Sequence, residues 1–216
     1  VLYGLDLAKK AIASKRQVVV VEGYTDVMAA HLAGIDTALA TCGTAFGDDH
    51  IRILRRLLMD DDAFRGEVIF TFDGDAAGQK AALRAFSDDQ KFVTQTFVAV
   101  EPNGLDPCEL RQEKGDEALR DLIARRIPLF EFAIRTELKK HDLQTAEGRV
   151  NALAATAPIV ASIRDKSLRP EYVRNLAGWL GMEMDTVSTQ VTQSIGKPQS
   201  QSAPNSPSED WRPNPN

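Results

Sequence analysis

Two runs of strand-forming residues constrain this chain more than any other feature. Gln17-Val-Val-Val-Val21 and Glu67-Val-Ile-Phe-Thr-Phe72 are apolar at consecutive rather than alternate positions, the mark of strands buried on both faces. Such strands need helices on either side of their sheet, and the sequence between them supplies the pattern. Thr25 to Leu32 reads as a helix stopped by Gly34. Asp48 is placed to N-cap a helix whose apolar face is Ile51, Leu54, Leu57 and Leu58, and Gly78 to Phe86 reads as a third. Weaker strands at Thr37–Ala40 and Gln95–Val100 complete the alternation, and an amphipathic helix over residues 2–14 precedes it. The expected fold is α/β, with a mostly parallel four-stranded sheet flanked by helices over residues 17–115 and residues 1–16 closing a preceding segment.

Beyond Asp116 the strand signal stops. Ala118, Leu119, Leu122 and Ile123 mark one helix. Pro128 suits the first turn of the next, with Leu129, Phe130, Phe132, Ala133 and Ile134 facing inward. Thr145 to Ile163, Pro170 to Leu180 and Asp185 to Ile195 come next, so residues 116–196 are expected to form an all-α bundle. Five of the ten prolines fall after Lys197 among Ser, Gln and Asn, so residues 197–216 read as a disordered linker tail.

Charge is uneven. Residues 17–110 hold 16 acids and 7 bases, whereas the whole chain has a formal net charge of −5. An acidic domain repels nucleic acid unless cations sit on it, although solvated acidic helices alone would give the same balance. Only Cys42 and Cys108 are present, which excludes a disulfide scaffold and a cysteine-rich zinc site. No apolar run approaches the roughly 20 residues of a membrane span. The start, Val1-Leu2-Tyr3-Gly4, lacks a signal segment and reads like the middle of a longer protein. A cytoplasmic location without membrane contact is expected.

Acidic motifs come directly after both strong strands: Glu22-Gly23-Tyr24-Thr25-Asp26 after the first and Asp73-Gly74-Asp75-Ala76-Ala77-Gly78 after the second. Ligands of open α/β sheets bind at the carboxyl ends of strands, so both motifs point at one crevice. Carboxylates gathered there repel one another unless a hard divalent cation bridges them, which favours Mg²⁺. A lone Asp-x-Asp is more often a turn former or cap; two acidic motifs after two buried strands shift the balance toward a metal site. A third element, Asp106-Pro107-Cys108-Glu109, reads as a helix start with Asp106 as N-cap, which leaves one carboxylate oxygen for other work.

Glu22 to Asp26, Cys42-Gly43-Thr44 and Asp73-Gly-Asp75-x-x-Gly78 together resemble the toprim domain of primases, topoisomerases and certain nucleases. The fuller pattern resembles the bacterial DnaG-type primase family: Leu2-Tyr-Gly-Leu5, Val20 to Val27, Gly43-Thr-Ala45, His50-Ile51, Phe72 to Gly78 and Gly104 to Pro107. The resemblance covers residues 1 to about 115, and the helical remainder fits by order and length. It implies DNA-templated synthesis of short RNA primers by two-metal nucleotidyl transfer. Glu22, Asp73 and Asp75 would be the catalytic residues and central metal ligands, with Asp26 and Asp106 beside them. Mg²⁺ would be the cofactor, replaceable by Mn²⁺. The family often has a second Asp after Asp-Pro; here that position is Cys108, a poor Mg²⁺ ligand, so Glu109 is the candidate outer ligand. The partners implied are single-stranded DNA template, ribonucleoside triphosphates and the RNA primer. The replicative helicase would dock through a C-terminal domain outside this chain, and the family's zinc domain and basic subdomain would also lie outside it, leaving no zinc here. The fragment alone is expected to bind metal and nucleotide with weak or no synthesis, because phosphate contacts dominate nucleic-acid affinity.

Lys80 and Arg84, four apart on one expected helix face, Lys9 and Lys10 before the first strand, and His50 are candidate nucleotide or nucleic-acid contacts. Each is more often a solvated face than a binding patch, and His50 reads better as a cap. A toprim nuclease or topoisomerase would use the same carboxylates, but no tyrosine lies in a recognisable cleavage module. An Asp-x-Asp phosphatase would want its aspartate after the first strand, where Glu22 stands. A non-catalytic scaffold presenting the helical bundle is the remaining alternative.

Overall fold

The computed structural model describes residues 2–41, 47–58, 66–73, 95–163 and 165–195, with the backbone alone at Asp48, Phe72 and Asp73. The expected Gly78–Phe86 helix, the Cys42-Gly-Thr44 motif and the tail from Lys197 lie outside these residues. So do Asp75, Lys80 and Arg84.

Five strands form one sheet in the order β2-β1-β3-β4-β5: β1 (Gln17–Val21), β2 (Ala38–Ala40), β3 (Glu67–Asp73), β4 (Gln95–Glu101) and β5 (Ile127–Pro128). The first four are parallel, with Val19 opposite Ala38, Val20 opposite Phe70, and Asp73 opposite Glu101. The mostly parallel sheet is as the sequence predicts, but it has five strands rather than four. Ile127 and Pro128 pair antiparallel with Val98 and Phe97, inside the stretch read as wholly helical. Two residues carry no periodicity, and their pairing is set by a partner some thirty positions away. Proline is tolerated there because the strand is an edge.

The valine run is buried on both faces, as its composition requires. Val18 and Val20, with Val68 and Phe70, face α1 (Leu5–Lys15) and α3 (Asp48–Leu58) through Ile12, Ile51, Leu54 and Leu58. Val19 and Val21, with Ile69 and Ala99, face α2 (Tyr24–Leu32) and α4 (Pro107–Ala124) through Val27, Ala30 and Ile123. Residues 2–4 do not belong to α1. Tyr3 instead exchanges backbone hydrogen bonds with Ala40 at 2.8 and 3.1 Å, and Gly4 turns the chain at φ 81°. Asp48 is the first residue of α3, and the Gly47 carbonyl accepts from Ile51 in the capping position.

Helix α4 is broken at Gly115, whose φ 85° and ψ 177° lie in a region essentially restricted to glycine. Its first half carries Asp106 at the cap. Its second half, which the sequence assigned to the bundle, packs Leu119 and Ile123 against α2 and the sheet. Helix α5 (Leu129–Leu138) then places Leu129, Phe132 and Ala133 on Val98 of β4. Ile134 and Leu138, on its other face, join the bundle of α6 (Ala146–Ala161), α7 (Leu168–Leu180) and α8 (Met184–Ser194). Trp179 lies at the side of this core with the Arg135 guanidinium 4.6 Å from its ring centroid.

At the start of α6 the Thr145 hydroxyl accepts from the Gly148 amide at 3.0 Å, a regular N-cap. A Cβ on Gly148 would collide with the Asp142 carbonyl and come within 2.7 Å of Thr145 Oγ1. Gly148→Ala therefore destabilises the fold by about 1–3 kcal/mol, against the roughly 1 kcal/mol gain expected in an open helix. Urea unfolding followed by circular dichroism gives the sign.

Candidate metal and nucleotide site

The sheet topology creates the crevice. From β1 the chain leaves through α2 to β2 on one side, while β3 connects to β4 on the other. Strands β1 and β3 are neighbours, so their carboxyl ends flank a topological switch point, where α/β sheets bind ligands. Glu22 is the exposed residue directly after β1, and Asp73 ends β3.

Asp26 lies in the first turn of α2 and is 4 % exposed. Its Oδ2 accepts from the Gly23 amide at 2.9 Å, and its Oδ1 accepts from the Cys108 amide at 3.3 Å. One carboxylate thus ties the start of α2 to the start of α4. Asp106 N-caps α4: its Oδ1 accepts from the Glu109 amide at 2.7 Å, and Glu109 Oε2 accepts from the Asp106 amide at 3.2 Å. This reciprocal capping box occupies one oxygen of Asp106, as the sequence anticipates, and orients Glu109 back over the helix start. Cys108 is half-buried, and its sulfur accepts from Gln112 Nε2 at 3.3 Å.

Sequence reasoning passed over Glu101, the last residue of β4 and the register partner of Asp73. It is 3 % exposed. Its Oε2 accepts from the amides of Asn103 at 2.6 Å and Leu105 at 3.1 Å, its Oε1 from Asn103 Nδ2 at 3.0 Å, and Lys114 Nζ lies 3.5 Å away. Burial disfavours its charge, but these amides, the Asn103 side chain and Lys114 together outweigh burial and hold its carboxyl below the ordinary glutamate range. The available signal was an acid set directly between an apolar strand and a Pro-Asn-Gly turn.

The candidate basic contacts are dispersed. Lys9 and Lys10 are exposed on α1. His50 is partly buried, and its Nδ1 accepts from the Gly47 amide at 3.3 Å. Burial, acting against the charge of Asp49, lowers its pKa, in keeping with a ring nitrogen that receives a hydrogen bond. Tyr24 is 57 % exposed two residues beyond Glu22, with its ring edge-to-face with that of Tyr3 at 6.3 Å.

Among the described residues no three His, Cys, Asp or Glu side chains gather closely enough to hold a metal ion; Asp75 and the Asp73 side chain are not among them. The donor set fits a hard divalent cation in chemistry, because Glu22, Asp73, Asp75 and Asp106 all offer carboxylate oxygen. Asp26 fits less directly, since both its oxygens already accept amide protons.

Comparison with known proteins identifies the family. A sequence model of the Toprim domain matches residues 16–99, and one described as the DnaB-helicase binding domain of primase matches residues 130–185. The DNA primase of Mycobacterium tuberculosis H37Rv is 62% identical over 181 residues, covering 84% of this chain. That of Streptomyces coelicolor is 62% identical over 186 residues, covering 86%. This chain belongs to the DnaG-type DNA primase family. It spans 28% of the length of either relative. The RNA polymerase domain of M. tuberculosis primase DnaG, solved with a double-stranded DNA carrying a 6-nucleotide overhang, matches with a TM-score of 0.75 at 61% identity, over 84% of this chain and 57% of that one. A DnaG primase catalytic domain bound to single-stranded DNA matches at 0.70 and 32% identity, over 86% of this chain and 57% of that one.

Membership of the toprim family implies divalent-metal use. The match at residues 130–185 corrects one expectation: a segment similar to the helicase-binding domain of primases lies within this chain, from α5 to the start of α8, rather than wholly outside it. Order and length of helices alone gave no means of seeing this. Among the described residues no helix is long and apolar enough to cross a membrane.

The buried carboxylates generate two expected outcomes. Asp26→Ala strands the amides of Gly23 and Cys108 and costs roughly 2–4 kcal/mol in urea unfolding; Asp26→Asn, which keeps one acceptor, costs less. Because the folded-state pKa of Glu101 is depressed, its contribution is complete above the ordinary value of 4.5 and is lost as pH falls through the folded value. Stability measured from pH 6 to pH 2 therefore declines less steeply in Glu101→Gln than in the parent chain.

Proposed function

We propose that this chain is the metal-binding and helical part of a primase's RNA polymerase domain, acting in DNA-templated synthesis of short RNA primers. The observation that carries this reading is the placement of Glu22 and Asp73 at the β1/β3 switch point of a sheet whose relatives are DNA primases. Glu22, Asp73 and Asp75 hold divalent metal, Mg²⁺ in function and Mn²⁺ as a working substitute. Asp106 and Asp26 flank them, and Glu109 stands at the outer position where Cys108 cannot serve. Held by these carboxylates, a divalent metal would supply positive charge to favour deprotonation of an attacking 3′-hydroxyl and to neutralise a leaving pyrophosphate.

The protein's own task is to hold carboxylates whose mutual repulsion would otherwise scatter them. The capping box at Asp106 and the amide bonds of Asp26 do this for two of the acidic elements. Lys80, Arg84, Lys9, Lys10 and His50 are candidate contacts to triphosphate, template or primer phosphates. Residues 130–185 would present a helicase-facing surface, by similarity to the helicase-binding domain of primases. Acting alone, this chain binds metal and ribonucleoside triphosphate but synthesises primer weakly or not at all, since template affinity rests on phosphate contacts.

Mn²⁺ titration by electron paramagnetic resonance, with and without a ribonucleoside triphosphate, tests the site. The double variant Asp73→Ala/Asp75→Ala binds Mn²⁺ at least tenfold more weakly than the parent, with an unchanged circular dichroism spectrum, and loses metal-dependent nucleotide binding. Equal binding by the two proteins would make these carboxylates turn formers and defeat the assignment.

A further inference from the structure

Glu101 is a buried acid that neither the toprim pattern nor the proposed ligand set uses. It ends β4, where its backbone is the register partner of Asp73 on β3, and β5 pairs the other side of the strand further back, at Phe97 and Val98. The donors on its carboxylate all lie C-terminal to it: the amides of Asn103 and Leu105, the Asn103 side chain, and Lys114 from the end of the first half of α4. The reversal of the chain does not need this carboxylate. Gly104, at φ 79°, already donates its amide to the Glu101 carbonyl at 3.3 Å, which closes the turn through the backbone.

Taking a charge out of water is costly unless it is paired and hydrogen-bonded, and every partner of this carboxylate belongs to the loop and helix that carry the next acidic residue. The residue after Leu105 is Asp106. The Glu101 carboxylate grips the chain immediately before Asp106 and, through Lys114, two turns after it. The amide of Cys108 between them is bonded to Asp26.

We propose that Glu101 is a positioning residue that fixes Asp106, and with it the outer acidic position, relative to the end of β3. Glu101 does not itself touch metal or nucleotide. It acts by wrapping the 103–105 loop around a rigidly mounted anion, so that Asp106 projects from a fixed point one residue beyond the last gripped amide. The inference rests on the proposed metal site, because it gives Asp106 a function to be positioned for.

A double-mutant cycle on Mn²⁺ affinity in the full chain tests it, using Glu101→Gln, Asp106→Ala and the pair. Glu101→Gln keeps the size of the side chain and loses the charge and one acceptor. It should weaken Mn²⁺ binding three- to tenfold, and Asp106→Ala at least as much, while the double variant binds no more weakly than Asp106→Ala. Native-state amide exchange supplies a readout independent of metal: protection at Asn103, Leu105 and the Glu109 amide that bonds Asp106 should fall at least tenfold in Glu101→Gln. If that variant fails to fold, Asn103→Ala removes a single donor from an exposed residue and should shift both readouts in the same direction.

Parent-like Mn²⁺ affinity in the Glu101 variant, or losses that simply add, would overturn the inference. Loss of binding in Asp73→Ala/Asp75→Ala with none in Asp106→Ala would leave the central site standing and overturn this inference alone. Failure of the parent chain to bind Mn²⁺ would defeat the site itself. The exchange data then decide whether Glu101 positions Asp106: lost protection at Glu109 upholds it and unchanged protection overturns it.

Discussion

The carboxyl edge of the sheet depends on one buried side chain, Asp26. Each helix begins with amides that have no partner inside the helix, and α2 and α4 both begin at this edge. Asp26 takes one such amide from each, Gly23 through one oxygen and Cys108 through the other. A buried carboxylate is tolerable only when its oxygens are satisfied, and two helix N-termini are among the better places for an anion. Glu22 directly precedes the first of these amides, and Asp106 stands two residues before the second. Fixing Asp26 therefore fixes the separation of two acidic turns that lie more than eighty residues apart in sequence.

The two ends of the sheet treat acids differently. At the amino end, Glu67 is met by the guanidinium of Arg126 at 2.8 and 2.9 Å and by Gln17 Nε2 at 3.0 Å, and Arg126 also lies 5.1 Å from the Phe97 ring. That is a closed ion pair across β1, β3 and the end of α4. At the carboxyl end, the buried acids Asp26 and Glu101 are held chiefly by backbone amides, which fix a carboxylate's position without supplying a full positive charge. Amide hydrogen bonds leave the carboxylate charge in place, as the proposed cation site requires. Residues 17–110 carry 16 acids against 7 bases, and the proposed metal site would give part of that excess a purpose beyond solubility.

Much of this was legible in the sequence because it rests on local patterns. Four consecutive valines dictate a strand buried twice over, and the alternation with helices dictates a parallel sheet. Glu22 and the Asp73 motif were visible because they sit at fixed offsets from those strands. Asp106 was visible as a cap because Asp-Pro starts helices. The features that stayed hidden depend on distant partners. β5 exists because Phe97 and Val98 offer an open edge, and Ile127-Pro128 says nothing of that by itself. Asp26 looked like a further ligand, since no spacing rule reveals that the Cys108 amide comes to meet it. Glu101 drew no attention between its strand and a Pro-Asn-Gly turn, because its carboxylate is held by the loop and by Lys114 of α4.

The attachment of the bundle has a mechanical consequence. The segment similar to a helicase-binding domain begins at residue 130, inside α5 and not after it. The same helix gives Leu129, Phe132 and Ala133 to the core against Val98, and Ile134 and Leu138 to the core of the bundle. Close-packed cores transmit displacement instead of absorbing it, so the bundle cannot shift as a body on a loose tether. Helix α5 and Ile159 of α6 thus pack the bundle onto β4, the strand that ends at Glu101, the anion around which the Asp106 loop is wound.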